Sequence, residues 1–253
     1  MSSKTSQNTI HNEADNYWQR SNLVKRDFWL IPIYLIATNI LVLLLVYLVT
    51  QFNVDFIELE HPIYIISSIL SSVILLYIFY LMHRKHQIIN IALQRFRQLK
   101  PYTMLFVSTY IASTILIYIY EWLTTFLPES LQYSETQNQM ELLSLFDNPW
   151  LLPLLFIDIV ILTPFVEEML FRHLLIHELG KKFTYTLMII ISIVVFGCLH
   201  MTGAQSPFEI GSYLILGGSI VFVYLITGKN LAAAVTFHML NNLVAFILIV
   251  VTL

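Results

Sequence analysis

Seven apolar runs dominate this 253-residue chain and limit the folds open to it. They cover residues 28–50, 62–82, 102–126, 150–176, 185–201, 209–227 and 231–251. A helix needs about 20 mostly apolar residues to cross the hydrocarbon core of a bilayer. Only 11% of the residues are charged, whereas soluble domains have about 25%. The sequence therefore predicts an all-α, polytopic bundle of about seven transmembrane helices.

Positive charges alternate between the segments that connect these runs. Twelve of the thirteen Lys and Arg residues precede the first run or follow the second, fourth or sixth run. The segments after the first, third and fifth runs have none. Cytosolic loops carry an excess of Lys and Arg, so the pattern predicts a multi-pass protein of the cell membrane with a cytosolic N terminus. The exception is Arg172, which lies inside the fourth run.

The distribution of polar residues divides the chain into segments, and the net charge and cysteine count limit its partners and metal sites. Residues 1–27 are polar and predict a cytosolic tail, and residues 28–127 predict the N-terminal transmembrane helices. Residues 83–100 fit either an amphipathic interfacial helix or a basic cytosolic loop. The net charge of −3 gives no reason to expect nucleic acid as a partner. The single cysteine, Cys198, excludes an intrachain disulfide and any multi-cysteine metal motif.

Ionisable residues interrupt the fourth run. The stretch PFVEEMLFRH, residues 164–173, places Glu167, Glu168 and Arg172 inside a membrane span. An unpaired charge near the bilayer centre costs at least ~2.5–3.5 kcal/mol. Residues four apart share a face of a helix, so Glu168 and Arg172 are predicted to form an ion pair. Glu167 points about 100° away from its neighbour and has no partner on its own helix.

Two other runs each contain a histidine. His200 lies four residues after Phe196 in the fifth run, and His238 lies four residues before Asn242 in the seventh. If the three helices pack together, a carboxylate, two imidazoles and a carboxamide converge. A carboxylate that loses hydration is a stronger base for water, and imidazole and amide groups can donate to a developing oxyanion. The set therefore suits hydrolysis by an activated water.

The depths of these residues set a condition on the packing. At ~1.5 Å per residue, Glu167 is ~21 Å along the chain from Lys181, and His200 is ~27 Å from Lys182. A shared site thus requires the fourth helix to project past the bilayer and the fifth to tilt or to begin inside it.

Other residues of the spans are expected to have structural roles. Asp158 lies about 180° around the fourth helix from the first glutamate and about 13 Å away, so it should not join the site. Gly217 and Gly218 are expected to allow the close approach of the sixth helix. His173 is expected to be a polar group that reaches the cytosolic interface.

Three short motifs, one in each of the fourth, fifth and seventh runs, resemble in type and order those of the CPBP family (CAAX-processing and bacteriocin-processing, or Abi) of intramembrane proteases. The matching stretches are EEMLFR at 167–172, FGCLH at 196–200 and HMLNN at 238–242. The resemblance covers about residues 150–245 and makes residues 149–253 a catalytic transmembrane core. The chain departs from the family at His173, where a glycine is usual, which bears on local packing more than on chemistry.

The resemblance also implies a role for each site residue. Glu167 would activate water together with His200, while His238 and Asn242 would stabilise the oxyanion. The two remaining motif residues, Glu168 and Arg172, would be the structural ion pair. Family members are described as metalloproteases, and Glu167, His200 and His238 could coordinate a Zn²⁺ ion with one open position. A glutamate-activated water without a metal serves equally well, so the cofactor is left open.

The expected function is that of an intramembrane endopeptidase acting on membrane-associated peptides or proteins. Candidate substrates are peptide leaders, small membrane peptides and the C-terminal ends of membrane-anchored proteins, with prenylated CAAX ends included by family analogy. A non-proteolytic bacteriocin-immunity or regulatory protein would keep the same fold for binding, although a binder needs no unpaired Glu167. A secondary transporter would predict inverted repeats, which the sequence does not show.

Overall fold

The structure, a computed structural model, describes residues 21–52 and 56–252, and of residues 56–58 it describes only the backbone. Most of the predicted tail, residues 1–20, therefore lies outside the described residues. Within the described ranges the chain is helical and contains no strand. The helices are α1 Leu30–Gln51, α2 Phe56–His83, α3 Ile88–Arg97, α4 Thr103–Thr124, α5 Gln137–Ser144, α6 Pro149–Glu178, α7 Tyr185–Leu199, α8 Ile210–Ile226 and α9 Leu231–Thr252.

Six helices of the described chain are long and apolar enough to cross a membrane, namely α1, α2, α4, α6, α8 and α9. Helix α7 is apolar but has only 15 residues. Such a helix rises about 22 Å, less than the hydrocarbon thickness of about 30 Å. The prediction of an all-α, multi-pass membrane bundle is confirmed. The fifth predicted span corresponds to the short helix α7. The cytosolic placement of the N terminus remains a prediction.

Helix α6 lies at the centre of the bundle, in contact with α2, α7 and α9. Helix α8 packs against α4, α7 and α9, and α1 packs along α2. Aromatic residues fill the junction of α6, α7 and α9, where Phe171, Phe196 and Phe237 belong to one buried cluster. Of the two forms considered for residues 83–100, the structure contains a helix, α3, which packs against α9. The two glutamates of α6 are thus surrounded by the helices that carry the histidines.

The backbone of α6 is irregular. Two of its segments, Phe156–Leu162 and Met169–Glu178, follow the wider π pattern, in which each N–H bonds a carbonyl five residues back. The regular stretch Thr163–Glu168 between them carries both glutamates. Pro164 cannot donate a backbone hydrogen bond to the turn before it, and that turn is the one that is widened. At 30 residues, α6 is longer than a bilayer crossing requires.

Where α6 ends, the chain before α1 packs against it. Asp27 is fully buried, with Nε2 of His83 3.0 Å and Nε2 of His173 2.8 Å from its carboxylate oxygens. The backbone N–H of Val24 donates to the Glu178 carboxylate at 2.7 Å. His173 is therefore buried against Asp27, and its depth in the bilayer stays a prediction. This histidine, placed where the resemblance predicts a glycine, joins the N-terminal segment to α6.

Only one of the two adjacent glycines in α8 permits a close approach. A Cβ atom on Gly217 would lie 2.9 Å from Cδ1 of Phe196, whereas one on Gly218 would have no atom within 4 Å. The expectation is thus confirmed for Gly217 and wrong for Gly218. The carbonyl of Gly217 also accepts a hydrogen bond from Arg172. Helix α8 must therefore stay bare at this position for α6 and α7 to approach it.

This difference makes Gly217→Ala a test of the packing. The added methyl group meets the Phe196 ring, which is fully buried and has no room to move aside. We expect a loss of roughly 1–3 kcal/mol of stability, as for other overpacked cores. Thermal unfolding in detergent micelles measures the effect, with Gly218→Ala as the matched control. Equal melting temperatures for the two variants would contradict the packing described.

Candidate active site

A buried charge network joins α6 to α9. Nε of Arg172 lies 3.0 Å from Oε2 of Glu168, one helical turn away. The other oxygen, Oε1, lies 2.9 Å from Nδ1 of His238. Glu168 and Arg172 are fully buried and His238 is 3% exposed. Because an ionised carboxylate only accepts hydrogen bonds, Nδ1 of His238 is the donor to Glu168.

The guanidinium of Arg172 also links α6 to its other neighbours. Its NH2 group donates to the carbonyl of Gly217 in α8 at 3.3 Å. Its central carbon lies 5.3 Å from the centroid of the Phe196 ring and 5.7 Å from that of Phe171, within the range of cation–π attraction. A planar group with five donors suits such a position. Arg172 thus neutralises Glu168 and connects three helices.

Glu167 has different surroundings from its neighbour. Its side chain is 23% exposed, and Oε2 lies 3.8 Å from Nε2 of His238. Oε2 is itself buried and has no hydrogen-bond partner among the residues that the structure describes. No Lys or Arg in the described chain forms an ion pair with Glu167. Of the two adjacent carboxylates, Glu167 is therefore the one available to a reacting group.

His200 follows directly after the end of α7. Its Nδ1 lies 2.8 Å from the carbonyl oxygen of Phe196, so Nδ1 carries the hydrogen and Nε2 is left as the acceptor of the neutral ring. The imidazole lies between two aromatic rings, with centroid distances of 4.5 Å to Phe196 and 4.7 Å to Tyr213. Phe196 also contacts the His238 ring, at 6.1 Å. The two histidines therefore meet at one aromatic side chain.

Asn242 is placed by the irregular backbone of α6. Its amide nitrogen donates to the carbonyl of Ile159 at 2.8 Å. In the π pattern the donor to this carbonyl would be the nitrogen of Pro164, which has no hydrogen. The side chain of Asn242 thus ties α9 to a carbonyl on the turn of α6 before Pro164. Since an amide nitrogen carries two hydrogens, a second one remains for another acceptor.

Some of the predicted site residues are in direct contact in the structure, and others are not. Arg172 contacts Glu168, Glu168 contacts His238, and His238 lies 3.8 Å from Glu167. His200 reaches the group through the Phe196 ring, and in the described chain no hydrogen bond or ion pair joins it to Glu167. Catalytic contacts are often longer before substrate binds. Helix α6 has 30 residues and α7 only 15, and the depth condition derived from the sequence stays a prediction.

A metal centre is not assembled by these side chains. No group of three His, Cys, Asp or Glu residues in the described ranges is placed to hold a metal ion. Nδ1 of His238 and Nδ1 of His200 each lie against an oxygen acceptor, as in metal-binding histidines, but no third ligand is grouped with them among the described residues. The side chains as placed therefore do not assemble a three-ligand zinc site, and the chemistry below includes no metal step. Zinc ligation by Glu167, His200 and His238 stays an untested prediction.

Sequence reasoning missed several groups around the site. Asp158 accepts a hydrogen bond from Ser68 at 2.8 Å, and its separation from the site stays a prediction. The carbonyls of Ile159 and Gly217 hold Asn242 and Arg172, but a backbone carbonyl has no sequence signature. Only Pro164, five residues after Ile159, is a local signal for an irregular turn at this carbonyl. Tyr213, stacked on His200, had no signal at all, since it is one of fourteen tyrosines.

Comparison with known proteins gives a family match for a segment in the second half of the chain. Residues 149–244 match the family described as Rce1-like, type II CAAX prenyl endopeptidase. Neither a comparison with curated proteins nor one with solved structures found a match. The matched segment begins with α6 and ends within α9, so it contains all three motifs. The resemblance seen in those motifs is confirmed: residues 149–244 of this chain match a family model of the CPBP family.

Proposed function

We propose that the protein is an intramembrane endopeptidase that hydrolyses membrane-associated peptides or proteins with a water activated by Glu167. The family match supports CAAX-type endopeptidase activity in general. One observation carries the assignment of the base. Of two adjacent carboxylates, Glu168 is neutralised by Arg172, whereas Glu167 lies beside His238 without a cation of its own. A carboxylate in a poorly hydrated site that is not neutralised can take a proton from water.

The reaction then uses each group in turn. Glu167 accepts a proton from water while the hydroxide attacks the carbonyl carbon of the scissile bond. Nε2 of His200, an acceptor, orients that water. The oxyanion receives a hydrogen bond from the second amide hydrogen of Asn242 and one from Nε2 of His238 when that ring carries both protons. Glu167 finally returns its proton to the leaving amine as the C–N bond breaks.

The proposed substrates reach the site from the bilayer, because the described helices form a membrane bundle. C-terminal prenylated CAAX segments are the class that we propose first, since the family description specifies that activity. The proposal includes a cytosolic N terminus, which the alternation of positive charges supports. A non-proteolytic immunity or regulatory role is less well supported, since binding alone needs no unneutralised Glu167.

A cleavage assay in reconstituted liposomes tests the proposal. The substrates are a farnesylated CAAX peptide, the same peptide without the farnesyl group, and a membrane-anchored leader peptide. We expect cleavage by the wild type and a loss of about 10²-fold or more in His200→Ala, as for loss of a group that acts on the reacting water. Cys198→Ser is the control, since Cys198 is exposed and lies two residues before His200. Equal processing by all three proteins would refute the role of His200, and no cleavage by the wild type would end the protease assignment.

The same assay distinguishes a metal-free mechanism from a zinc-dependent one. We expect cleavage to survive exhaustive treatment of the purified protein with a zinc chelator, because the side chains do not form a three-ligand group. Metal analysis of the treated protein confirms removal. Activity that disappears on chelation and returns with Zn²⁺ alone would instead support zinc ligation by Glu167, His200 and His238.

A further inference from the structure

We infer that Tyr213 is a positioning residue for His200, held in place through Thr136 by the segment that precedes α6. This inference rests on the proposed function, in which His200 acts on the reacting water. Tyr213 belongs to none of the three motifs and lies on α8, a helix that contributes no proposed catalytic side chain. The contacts of its ring and of its hydroxyl group carry the argument.

The ring of Tyr213 forms one wall of the His200 site. The two rings are nearly parallel, with an interplanar angle of 23° and a centroid distance of 4.7 Å. Phe196 lies on the imidazole at 4.5 Å. Helix α7 ends one residue earlier, at Leu199, so the regular helix does not continue past His200 to hold it. The direction of Nε2 therefore depends on the Nδ1 hydrogen bond and on these two rings.

The hydroxyl group of Tyr213 is anchored on a different part of the chain. It lies 2.7 Å from Oγ1 of Thr136, which is 7% exposed. Thr136 is also the N-cap of α5, where the same oxygen accepts a hydrogen bond from the backbone of Gln139. A capping threonine is fixed by the helix that it begins. The tyrosine ring is thus held at its hydroxyl end as well as by packing.

A buried carboxylate holds α5 against the chain after His200. Glu209 is 1% exposed and accepts three backbone hydrogen bonds, from Gln137 at 2.7 Å, Gln205 at 2.8 Å and Ser206 at 2.9 Å. The hydroxyl of Ser206 donates to the carbonyl of Leu131 at 2.6 Å. These bonds connect the segment that carries Thr136 to the segment between α7 and α8. The anchor of Tyr213 is therefore part of the rigid structure.

Kinetic measurements on the reconstituted protein test the inference. An error of 1 Å in placing a catalytic group can cost about 10²-fold, so Tyr213→Leu should lower kcat by about 10- to 100-fold with KM nearly unchanged. Tyr213→Phe keeps the ring and should cost only about threefold in kcat, in the range expected for one lost hydrogen bond. Thr136→Val should lower kcat by the same factor as Tyr213→Phe. The variant with both substitutions should lower kcat no further. Phe222→Leu, at an exposed position of the same helix, is the control.

If Tyr213 acts by positioning His200, its effect on the cleavage rate must depend on the presence of His200. In a His200→Ala background, Tyr213→Leu should lower the residual rate no further, since the group that it positions is gone. A further loss in this background would mean that Tyr213 acts on the fold in general, and would overturn the inference.

A spectroscopic measurement keeps the inference testable apart from the activity. In protein with isotopically labelled histidine, the ring-proton signal of His200 is the one missing from His200→Ala. Tyr213→Leu should move this signal, because the ring current of the stacked tyrosine is lost, whereas Tyr213→Phe and Phe222→Leu should leave it nearly in place. An unmoved signal in Tyr213→Leu overturns the inference. A moved signal without cleavage of any substrate would instead contradict the proposed function.

Discussion

Glu167→Gln is expected to remove cleavage while leaving the fold intact, with kcat lowered by about 10²- to 10⁴-fold, the contribution typical of a general base. Glutamine has nearly the same shape as glutamate but cannot take a proton from water. The fold should tolerate the change because Glu167 is not part of the Glu168–Arg172 pair, and Oε2 accepts no hydrogen bond in the described chain.

Initial rates in liposomes and thermal unfolding in micelles check this prediction together. The matched control is Glu141→Gln, which removes a carboxylate from α5, on the surface of the bundle. A Glu167→Gln protein that cleaves at the wild-type rate would refute the assignment of the base. A protein that loses activity only in proportion to its loss of folded material would show that Glu167 is structural.

Arg172→Met should destabilise the protein by about 3–5 kcal/mol, the usual cost of removing one partner from a buried ion pair. Glu168 is fully buried, and without the guanidinium its charge keeps only the hydrogen bond with His238. The variant also loses the hydrogen bond to Gly217 and the contacts with two aromatic rings. This loss should appear as a lower unfolding midpoint in mixed detergent micelles.

A second substitution distinguishes the charge effect from simple loss of packing. When Glu168→Gln is added to Arg172→Met, no charge is left unpaired, so part of the stability should return. Arg97→Met, at an exposed position of α3, should have little effect and serves as the control. If the double variant is less stable than Arg172→Met by the full additive amount, the two residues do not interact as described.

Helix formation followed directly from the order of residues. Apolar runs of about 20 residues cannot leave backbone groups unpaired in lipid and must form helices, which is why the predicted spans match the helices found. The spacing of four residues likewise brings Glu168 to Arg172, because one helical turn separates them. For the same reason Glu167 had to differ from Glu168. These results are local and depend only on the geometry of a single helix.

Contacts between helices could not be predicted in this way. His173 pairs with Asp27, 146 residues earlier, and the spacing of neither residue indicates this contact. The fifth run has nearly the length of a span, but α7 ends at Leu199 and leaves His200 inside the bundle. Neither result follows from hydropathy, which measures the preference of a segment for lipid and not its partners.

The chain thus encodes its helices, its ion pair and its candidate base in short-range spacing, because each depends on neighbours within about one turn. The approach of His238 to both glutamates, the binding of Asn242 to the Ile159 carbonyl and the stacking of Tyr213 on His200 came from packing. Such contacts join residues from 13 to 83 positions apart. They depend on how helices approach one another and on where their backbones depart from regular geometry, and neither property is periodic in the sequence.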